Sequence, residues 1–233
     1  MALRRTPFAI DEWYHCYNRG VEKRRVFETK RDHERFMQLL YLCNSKTILQ
    51  RSNILKKSNN EIYALKRGRP LVAIGSYTLM PNHFHVALKE IFEGGITAFM
   101  HKLSTAYTMY FNIKNKRVGG LFVKPFRSKH VGEDRYLKYL VQYIHLNPAE
   151  LFEKDWKHGN VVHPQQLMHQ LTNYPYSSFL EYHSRGSRPE RAILDKESFE
   201  LLADGAPSAE EMIREAAEYY KEFDDTLNVK ASP

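Results

Sequence analysis

The sequence predicts an α+β sandwich of the ferredoxin-like kind: an antiparallel sheet with helices on one face, plus one extra helix after the last strand. Two observations carry this prediction. Four short runs rich in aromatic and β-branched residues end at turn signals. Segments with apolar residues at helical spacing lie between the first and second runs, between the third and fourth, and after the fourth. The predicted order is therefore β-α-β-β-α-β-α.

The first strand and first helix lie before a polar insertion. Residues 13–18 are aromatic-rich and stop at Arg19-Gly20, which predicts the first strand. Asp32 is expected to cap the first helix. The apolar positions of that helix are Phe36, Leu39, Leu40 and Leu42. Residues 45–68 are rich in Lys, Arg and Asn, so they are predicted to form an inserted loop or ribbon.

The middle of the chain predicts a hairpin and the second helix. Residues 71–80 and 83–89 form strand patterns, and the turn signal Pro81-Asn82 joins them. Residues 96–113 then carry apolar side chains at helical spacing. A ββα unit of this kind continues the sandwich pattern.

The last strand is expected to start at 121–123 and to run to Val131. A strongly periodic helix over 133–147 follows, stopped by Pro148. We assign residues 1–150 to the main domain and 151–233 to a C-terminal accessory segment that is mainly helical and irregular. Within this segment, Ser208 is expected to cap a last helix that runs to Phe223.

Composition indicates a polyanion as partner. The chain of 233 residues has a net charge of +8, which points first to nucleic acid, although a basic protein without such a partner is the simpler alternative. Cys16 and Cys43 give no disulfide framework and no C-x-x-C metal motif, which favours a reduced, cytoplasmic setting. No signal peptide and no membrane-spanning apolar run is seen in the sequence.

His83 and His85 are two residues apart on the third predicted strand, so their side chains point to the same face. Neutral imidazole is a common ligand of transition-metal ions, and two such ligands leave positions open for a phosphate oxygen or water. The pair therefore predicts an open metal site at the end of a strand. The alternative is that both are half-exposed strand histidines without a ligand.

Tyr143 and Asn147 are four residues apart on the helix after the fourth strand, so they lie on one face. That face borders the apolar stripe, and His145 lies far round the helix from Tyr143. A phenol becomes a useful nucleophile when a base or metal assists it. Asn147 could supply an oxygen as the third ligand of the metal, which would favour Mg²⁺ or Mn²⁺. The alternatives are a tyrosine at the core's edge with a hydrogen-bonded hydroxyl, and a helix-terminal asparagine before proline.

Two motifs carry a resemblance to a known family. Tyr77 to His85 resembles the HUH strand of the single-tyrosine transposases, and Tyr143 to Pro148 resembles the tyrosine helix of their REP-associated branch. Further matches within residues 8–183 are Tyr14-His15, Asn18-Arg19-Gly20, Gly120-Leu121-Phe122, Phe126-Arg127-Ser128 and Tyr176-Ser177-Ser178-Phe179. The polar insertion and the tail after residue 183 have no counterpart in the pattern.

The resemblance implies a ferredoxin-like HUH domain, a divalent metal ion (Mg²⁺ or Mn²⁺) and a covalent 5′-phosphotyrosine intermediate. By motif position His83 and His85 would hold the metal, Tyr143 would be the nucleophile, and Asn147 would occupy the place of a polar residue one turn later. The implied substrate is single-stranded DNA that folds into hairpins from palindromic repeats. The protein would be a monomer or a homodimer.

Cationic side chains near these motifs are candidate phosphate contacts, although each has an ordinary solvated turn or loop as its alternative. They are Arg4, Arg5, Arg19, Lys23, Arg24, Arg25, Arg127 and Lys129. Two other functions stay open at this point. One is a non-catalytic relative that binds hairpin DNA or RNA, and the other is a hydrolytic metal nuclease.

Overall fold

The computed structural model describes residues 7–47, 57–154, 156, 161–183, 188–204 and 206–215. The strands are β1 (Trp13–Arg19), β2 (Val72–Met80), β3 (His83–Glu90) and β4 (Arg127–Val131). The helices are α1 (Lys30–Cys43), α2 (Asn59–Tyr63), α3 (Gly95–Lys114), α4 (Asp134–Leu146), α5 (Pro164–Thr172), α6 (Phe179–His183), α7 (Lys196–Ala203) and α8 (Ala209–Arg214). Within these ranges no helix is both long and apolar enough to cross a membrane.

The four strands form one antiparallel sheet in the order β2-β3-β1-β4. This order places β1 and β3 at the centre, with β2 and β4 at the edges. The helix after β1 and the helix after β3 each connect strands that are not neighbours, as in a ferredoxin-like sandwich. The predicted α+β fold class is confirmed, and the short α2 is an addition within the polar insertion.

Successive side chains of each strand point to opposite faces of the sheet, so the apolar residues are divided between two layers. On one face, Cys16 and Phe84 belong to a core that includes the buried sides of α1 and α3. On the other face, Trp13 and Ala87 pack in a second cluster with α4 and the C-terminal helices. The helix that carries Tyr143 therefore covers the opposite face of the sheet from α1 and α3.

Three element boundaries differ from the predictions. Asp32 is the third residue of α1, and Thr29 is the N-cap, whose hydroxyl accepts from Asp32 N while the Asp32 carboxylate accepts from Thr29 N. The fourth strand begins at Arg127, because Pro125 lacks the N–H that a ladder requires and Phe122 pairs only as an isolated bridge with Gly20. Helix α4 ends at Leu146.

Two further differences concern helical segments. Helical structure continues through Pro148 as a 3₁₀ helix over Asn147–Leu151, because proline is tolerated in the first turn of a helix. The predicted loop at 45–68 contains α2, and residues 48–56 lie outside the described residues. Ser208 caps α8 as predicted, whereas the expected extension to Phe223 lies outside the described residues.

The C-terminal part of the chain covers the free edge of β2. Thr78 pairs with Ser177 in an isolated antiparallel bridge, Leu79 N donates to Tyr176 O at 2.9 Å, and Ser178 N donates to Tyr77 O at 2.9 Å. These bonds satisfy backbone groups that an edge strand would otherwise present to other chains. The aromatic-Ser-Ser-aromatic segment is thus a structural cover for the sheet.

A buried ion pair holds this cover in place. Arg188 Nε and Nη2 contact the two carboxylate oxygens of Glu181, whose side chain is 1% exposed. The same guanidinium donates to the backbone oxygens of Pro175 and Ser177. Arg188 therefore satisfies both a buried carboxylate and two carbonyls of the edge segment.

We expect Arg188→Met to lower the free energy of unfolding by about 3 kcal/mol, because it leaves the Glu181 carboxylate buried without its cation. Urea denaturation followed by circular dichroism measures the change. The double variant with Glu181→Gln should be less destabilised than Arg188→Met alone, since the buried charge is removed as well. Arg191→Met is the matched control, because the Arg191 guanidinium lies over the Phe199 ring, and it should cost under about 1 kcal/mol. An equal cost for both single variants would contradict this account.

Candidate functional site

The sheet register places the predicted metal ligands on the face covered by α4. His83 lies opposite Arg19, and His85 lies opposite Tyr17, across the β1–β3 ladder. Directly paired residues of antiparallel strands project to the same side. His15, two residues before Tyr17, therefore shares this face with His83 and His85.

His15 joins the predicted histidine pair. The His15 Nε2 atom lies 2.8 Å from His85 Nδ1, and the two rings lie edge to edge with centroids 5.0 Å apart and 20° between their planes. Both side chains are fully buried. Burial, with a smaller contribution from the Lys129 cation, lowers the pKa of His15 to about 3. The His15 imidazole is therefore neutral at physiological pH.

His83 is oriented by its neighbour in the hairpin turn. His83 Nδ1 lies 2.6 Å from the amide oxygen Oδ1 of Asn82. An amide oxygen only accepts hydrogen bonds, so the proton of a neutral His83 is on Nδ1 and the lone pair is on Nε2. The His83 and His85 rings are 5.0 Å apart between centroids, with an angle of 84° between their planes.

Tyr143 of α4 lies against these histidines. Its ring centroid is 5.6 Å from that of His85 and 5.6 Å from that of His15, edge-on to both. The predicted position at the edge of the core is wrong, because Tyr143 is 0% exposed. C-terminal residues such as Leu171 and Phe179 pack in the same apolar cluster as Tyr143. The buried face of α4 is therefore wider than the apolar stripe that the sequence periodicity predicts. Another molecule can reach this ring only if residues that cover it move.

Asn147 has a helix-terminal role in the structure. Its Nδ2 donates to Tyr143 O at 2.7 Å, and the side chain is 2% exposed. The same Tyr143 carbonyl, near the C-terminus of α4, also accepts from Asn147 N. The role of Asn147 Oδ1 as a third metal ligand stays a prediction.

A divalent-metal site at His83 and His85 stays a prediction. Within the described ranges, no group of three or more His, Cys, Asp and Glu side chains is arranged to hold a metal ion. The Nδ1 atoms of both His83 and His85 instead engage neighbouring side chains. Metal-binding histidines commonly use their second nitrogen in this way, and the remaining Nε2 atoms are the ones that would hold the ion.

Three of the predicted phosphate contacts lie on the site face of the sheet. Arg19 is opposite His83, Arg127 is opposite Tyr17, and Lys129 is opposite His15. Arg127 is exposed, while Arg19 and Lys129 are half-buried. They give the side of the sheet that carries the histidines a positive border.

The remaining predicted phosphate contacts lie near the hairpin turn or outside the described residues. The loop after β1 contacts this turn, where Asn82 Nδ2 donates to Lys23 O at 3.3 Å. Lys23 and Arg25 are exposed in that loop, and Arg24 pairs with Glu22 at 2.8 Å. The last two of the predicted set, Arg4 and Arg5, lie outside the described residues.

A second histidine on α4 ties this helix to the edge segment. His145 Nε2 lies 2.9 Å from Ser178 Oγ, and the same hydroxyl accepts from Tyr77 N. The predicted separation of His145 from Tyr143 agrees with this placement. Burial, then the nearby His183, lower the pKa of His145 well below its usual range, and burial lowers the pKa of His183 to about 4.

We expect the protein to lose stability on mild acidification. The folded-state pKa values of His15, His145 and His183 lie below the unfolded value, so between about pH 6.5 and these lower values the unfolded chain binds more protons. Stability is therefore full above pH 6.5 and falls as pH decreases. Urea denaturation should show a loss of about 4–6 kcal/mol between pH 7 and pH 5, because each imidazole contributes about 2 kcal/mol. The same unfolding free energy at both values would contradict the neutral burial of these imidazoles.

Sequence reasoning missed His15 as a member of the site. His15 and Tyr17 alternate with Tyr14 and Cys16, which indicates that they share a face, but only the register shows which strand they meet. Ser178 was also missed as a partner of α4, because it follows His145 by 33 residues. Its place in an aromatic-Ser-Ser-aromatic segment was the available signal.

Comparisons with known proteins give a structural similarity. No protein-family model and no curated protein matches the chain. A solved structure of a REP-associated tyrosine transposase bound to a REP hairpin is similar, with a TM-score of 0.48 and 16% sequence identity. The match covers 82% of this chain and 90% of that chain.

Proposed function

We propose that this protein is a metal-dependent tyrosine transposase or endonuclease that cleaves and rejoins single-stranded DNA hairpins through a 5′-phosphotyrosine intermediate. One observation carries the proposal. A helix after the last strand brings Tyr143 edge-on against His85, which shares a strand face with His83. A phenol beside two imidazoles that could hold a divalent ion is the set of groups that metal-dependent, tyrosine-mediated strand transfer requires.

In this reaction Tyr143 Oη attacks the scissile phosphorus. A new P–O bond forms to the tyrosine, the P–O3′ bond breaks, and the departing 3′-oxygen takes up a proton as the phenol loses one. A divalent ion held by His83 and His85 Nε2 would offset charge on the phosphate oxygens. In the reverse step a 3′-hydroxyl attacks the phosphotyrosine and releases Tyr143, so the DNA is rejoined without another cofactor.

The distribution of charge supports nucleic acid as substrate. The chain has a net charge of +8, and Arg19, Arg127 and Lys129 border the site face. Cations along a surface supply sequence-independent affinity for phosphates, and that affinity decreases with salt. Binding of labelled hairpin DNA should therefore weaken steeply as the NaCl concentration rises.

A denaturing-gel assay tests the proposal. The full chain is mixed with Mn²⁺ or Mg²⁺ and labelled single-stranded oligonucleotides that copy palindromes flanking its own gene. The expected product is a protein–DNA adduct that survives denaturation and disappears with EDTA. Cleavage without any adduct would overturn the tyrosine mechanism in favour of a hydrolytic metal nuclease.

The complete burial of Tyr143 favours a second candidate function, a non-catalytic protein that binds hairpin DNA or RNA. In that case the aromatic contacts of Tyr143 with His15 and His85 would serve only to pack α4 on the sheet. Tight, metal-independent hairpin binding with neither adduct nor cleavage across a panel of hairpins would support this second function.

A further inference from the structure

We propose that His15 is a positioning residue for His85. In this arrangement His15 Nε2 accepts a hydrogen bond from His85 Nδ1, which keeps the lone pair of His85 on Nε2. The inference rests on the proposed function, in which His85 Nε2 holds a divalent ion. It adds a residue of β1 to a site otherwise built from β3 and α4.

The sheet register makes this contact possible. His15 lies opposite Ala87, two residues from His85 on the neighbouring strand, and so is a diagonal neighbour on the same face. The 2.8 Å separation of His15 Nε2 from His85 Nδ1 is a hydrogen bond, and the 20° angle between the rings shows that they are nearly parallel.

Other rings also hold the plane of the His85 imidazole. Tyr17 stacks on His85 with centroids 5.7 Å apart and an interplanar angle of 21°. Tyr143 meets His85 edge-on from α4, at an angle of 84°. The stacked and edge-on neighbours restrict rotation of His85, so its Nδ1 stays directed at His15.

The direction of the hydrogen bond decides whether His85 can bind a cation. Each neutral imidazole has one donor and one acceptor nitrogen. If His15 Nε2 donated, His85 Nδ1 would accept, and the proton of His85 would be on Nε2. A protonated nitrogen has no lone pair for a metal. Metal binding by His85 Nε2 therefore requires His15 to be the acceptor, which places the proton of His15 on its Nδ1.

The first test measures tautomers in the unsubstituted, metal-free full chain. Long-range ¹H–¹⁵N correlation spectra distinguish protonated from unprotonated ring nitrogens, and substitution of single histidines assigns the signals. We expect His85 to carry its proton on Nδ1 and His15 to carry its proton on Nδ1. A proton on His85 Nε2 would overturn the inference. This result depends on neither metal nor DNA, so it is separate from the success of the proposed function.

The second test compares two substitutions at one position by calorimetric titration with Mn²⁺. His15→Leu removes the acceptor and should weaken Mn²⁺ binding 10- to 100-fold. His15→Gln offers its Oε1 near the position of Nε2 and should bind Mn²⁺ within about 3-fold of the unsubstituted chain. Equal affinity in His15→Leu and the unsubstituted chain would overturn the inference.

Thermal unfolding of both variants shows whether they fold. If His15→Leu does not fold, the tautomer measurement decides the inference alone. If the unsubstituted chain shows the expected tautomers but binds no Mn²⁺, the metal part of the proposed function fails while the positioning of His85 by His15 is upheld.

Discussion

The variant Tyr143→Phe is expected to form no covalent adduct with hairpin DNA and to reduce strand cleavage at least ~10³-fold, because the phenol oxygen is the attacking atom. The ring itself remains. Its edge-on contacts with His15 and His85 involve the ring and not the hydroxyl, so α4 should stay packed on the sheet. Hairpin affinity, measured by fluorescence anisotropy, should therefore change less than about 3-fold.

Tyr136→Phe is the matched control for this experiment. Tyr136 is seven residues earlier on α4, approximately two helical turns, and is 37% exposed. The same loss of a hydroxyl from the same helix should leave cleavage and adduct formation unchanged. Cleavage that persists in Tyr143→Phe would show that a different nucleophile, a second tyrosine or water, performs the reaction.

The second large effect is expected from His85→Leu. The substitution removes the imidazole and leaves no metal-binding atom in its place, so the metal-dependent cleavage rate should fall at least ~100-fold at a Mn²⁺ concentration that saturates the unsubstituted chain. Leucine fills much of the imidazole volume at a fully buried position, which limits the cavity that alanine would leave. Hairpin binding in EDTA should persist, because phosphate contacts supply it.

His130→Leu controls for loss of a strand histidine. His130 lies opposite Tyr14, on the face of the sheet that α1 and α3 cover. The His130 side chain is 51% exposed and lies beside Glu12. This variant should cleave at the rate of the unsubstituted chain. A His85→Leu variant that cleaves equally fast would remove the histidine pair from the mechanism.

Local patterns were sufficient to predict the fold. Turn signals at Pro81-Asn82 and the 3.6-residue spacing within α3 and α4 depend only on neighbours in sequence, and the structure contains the predicted order of strands and helices. Boundaries shifted where side chains compete for the same role. Thr29 rather than Asp32 caps α1, since the two residues form a reciprocal pair.

The composition of the site was less predictable, because it depends on contacts between distant segments. The two-residue period of a strand puts His83 and His85 on one face. That His15 is their neighbour depends on the β1–β3 register, which no local sequence pattern encodes. The burial of Tyr143 has the same origin. Its helix is covered from outside by residues near 171–179, which are brought there by the edge segment on β2.

If Tyr143 is the nucleophile, it becomes covalently attached to DNA, and mass spectrometry of the adduct identifies the attached residue. The full chain is reacted with a hairpin oligonucleotide and Mn²⁺, digested with nuclease and protease, and the peptides that retain a nucleotide are sequenced. We expect a 5′-phosphonucleotide on the hydroxyl of Tyr143. A nucleotide on any other residue would show that Tyr143 is not the nucleophile.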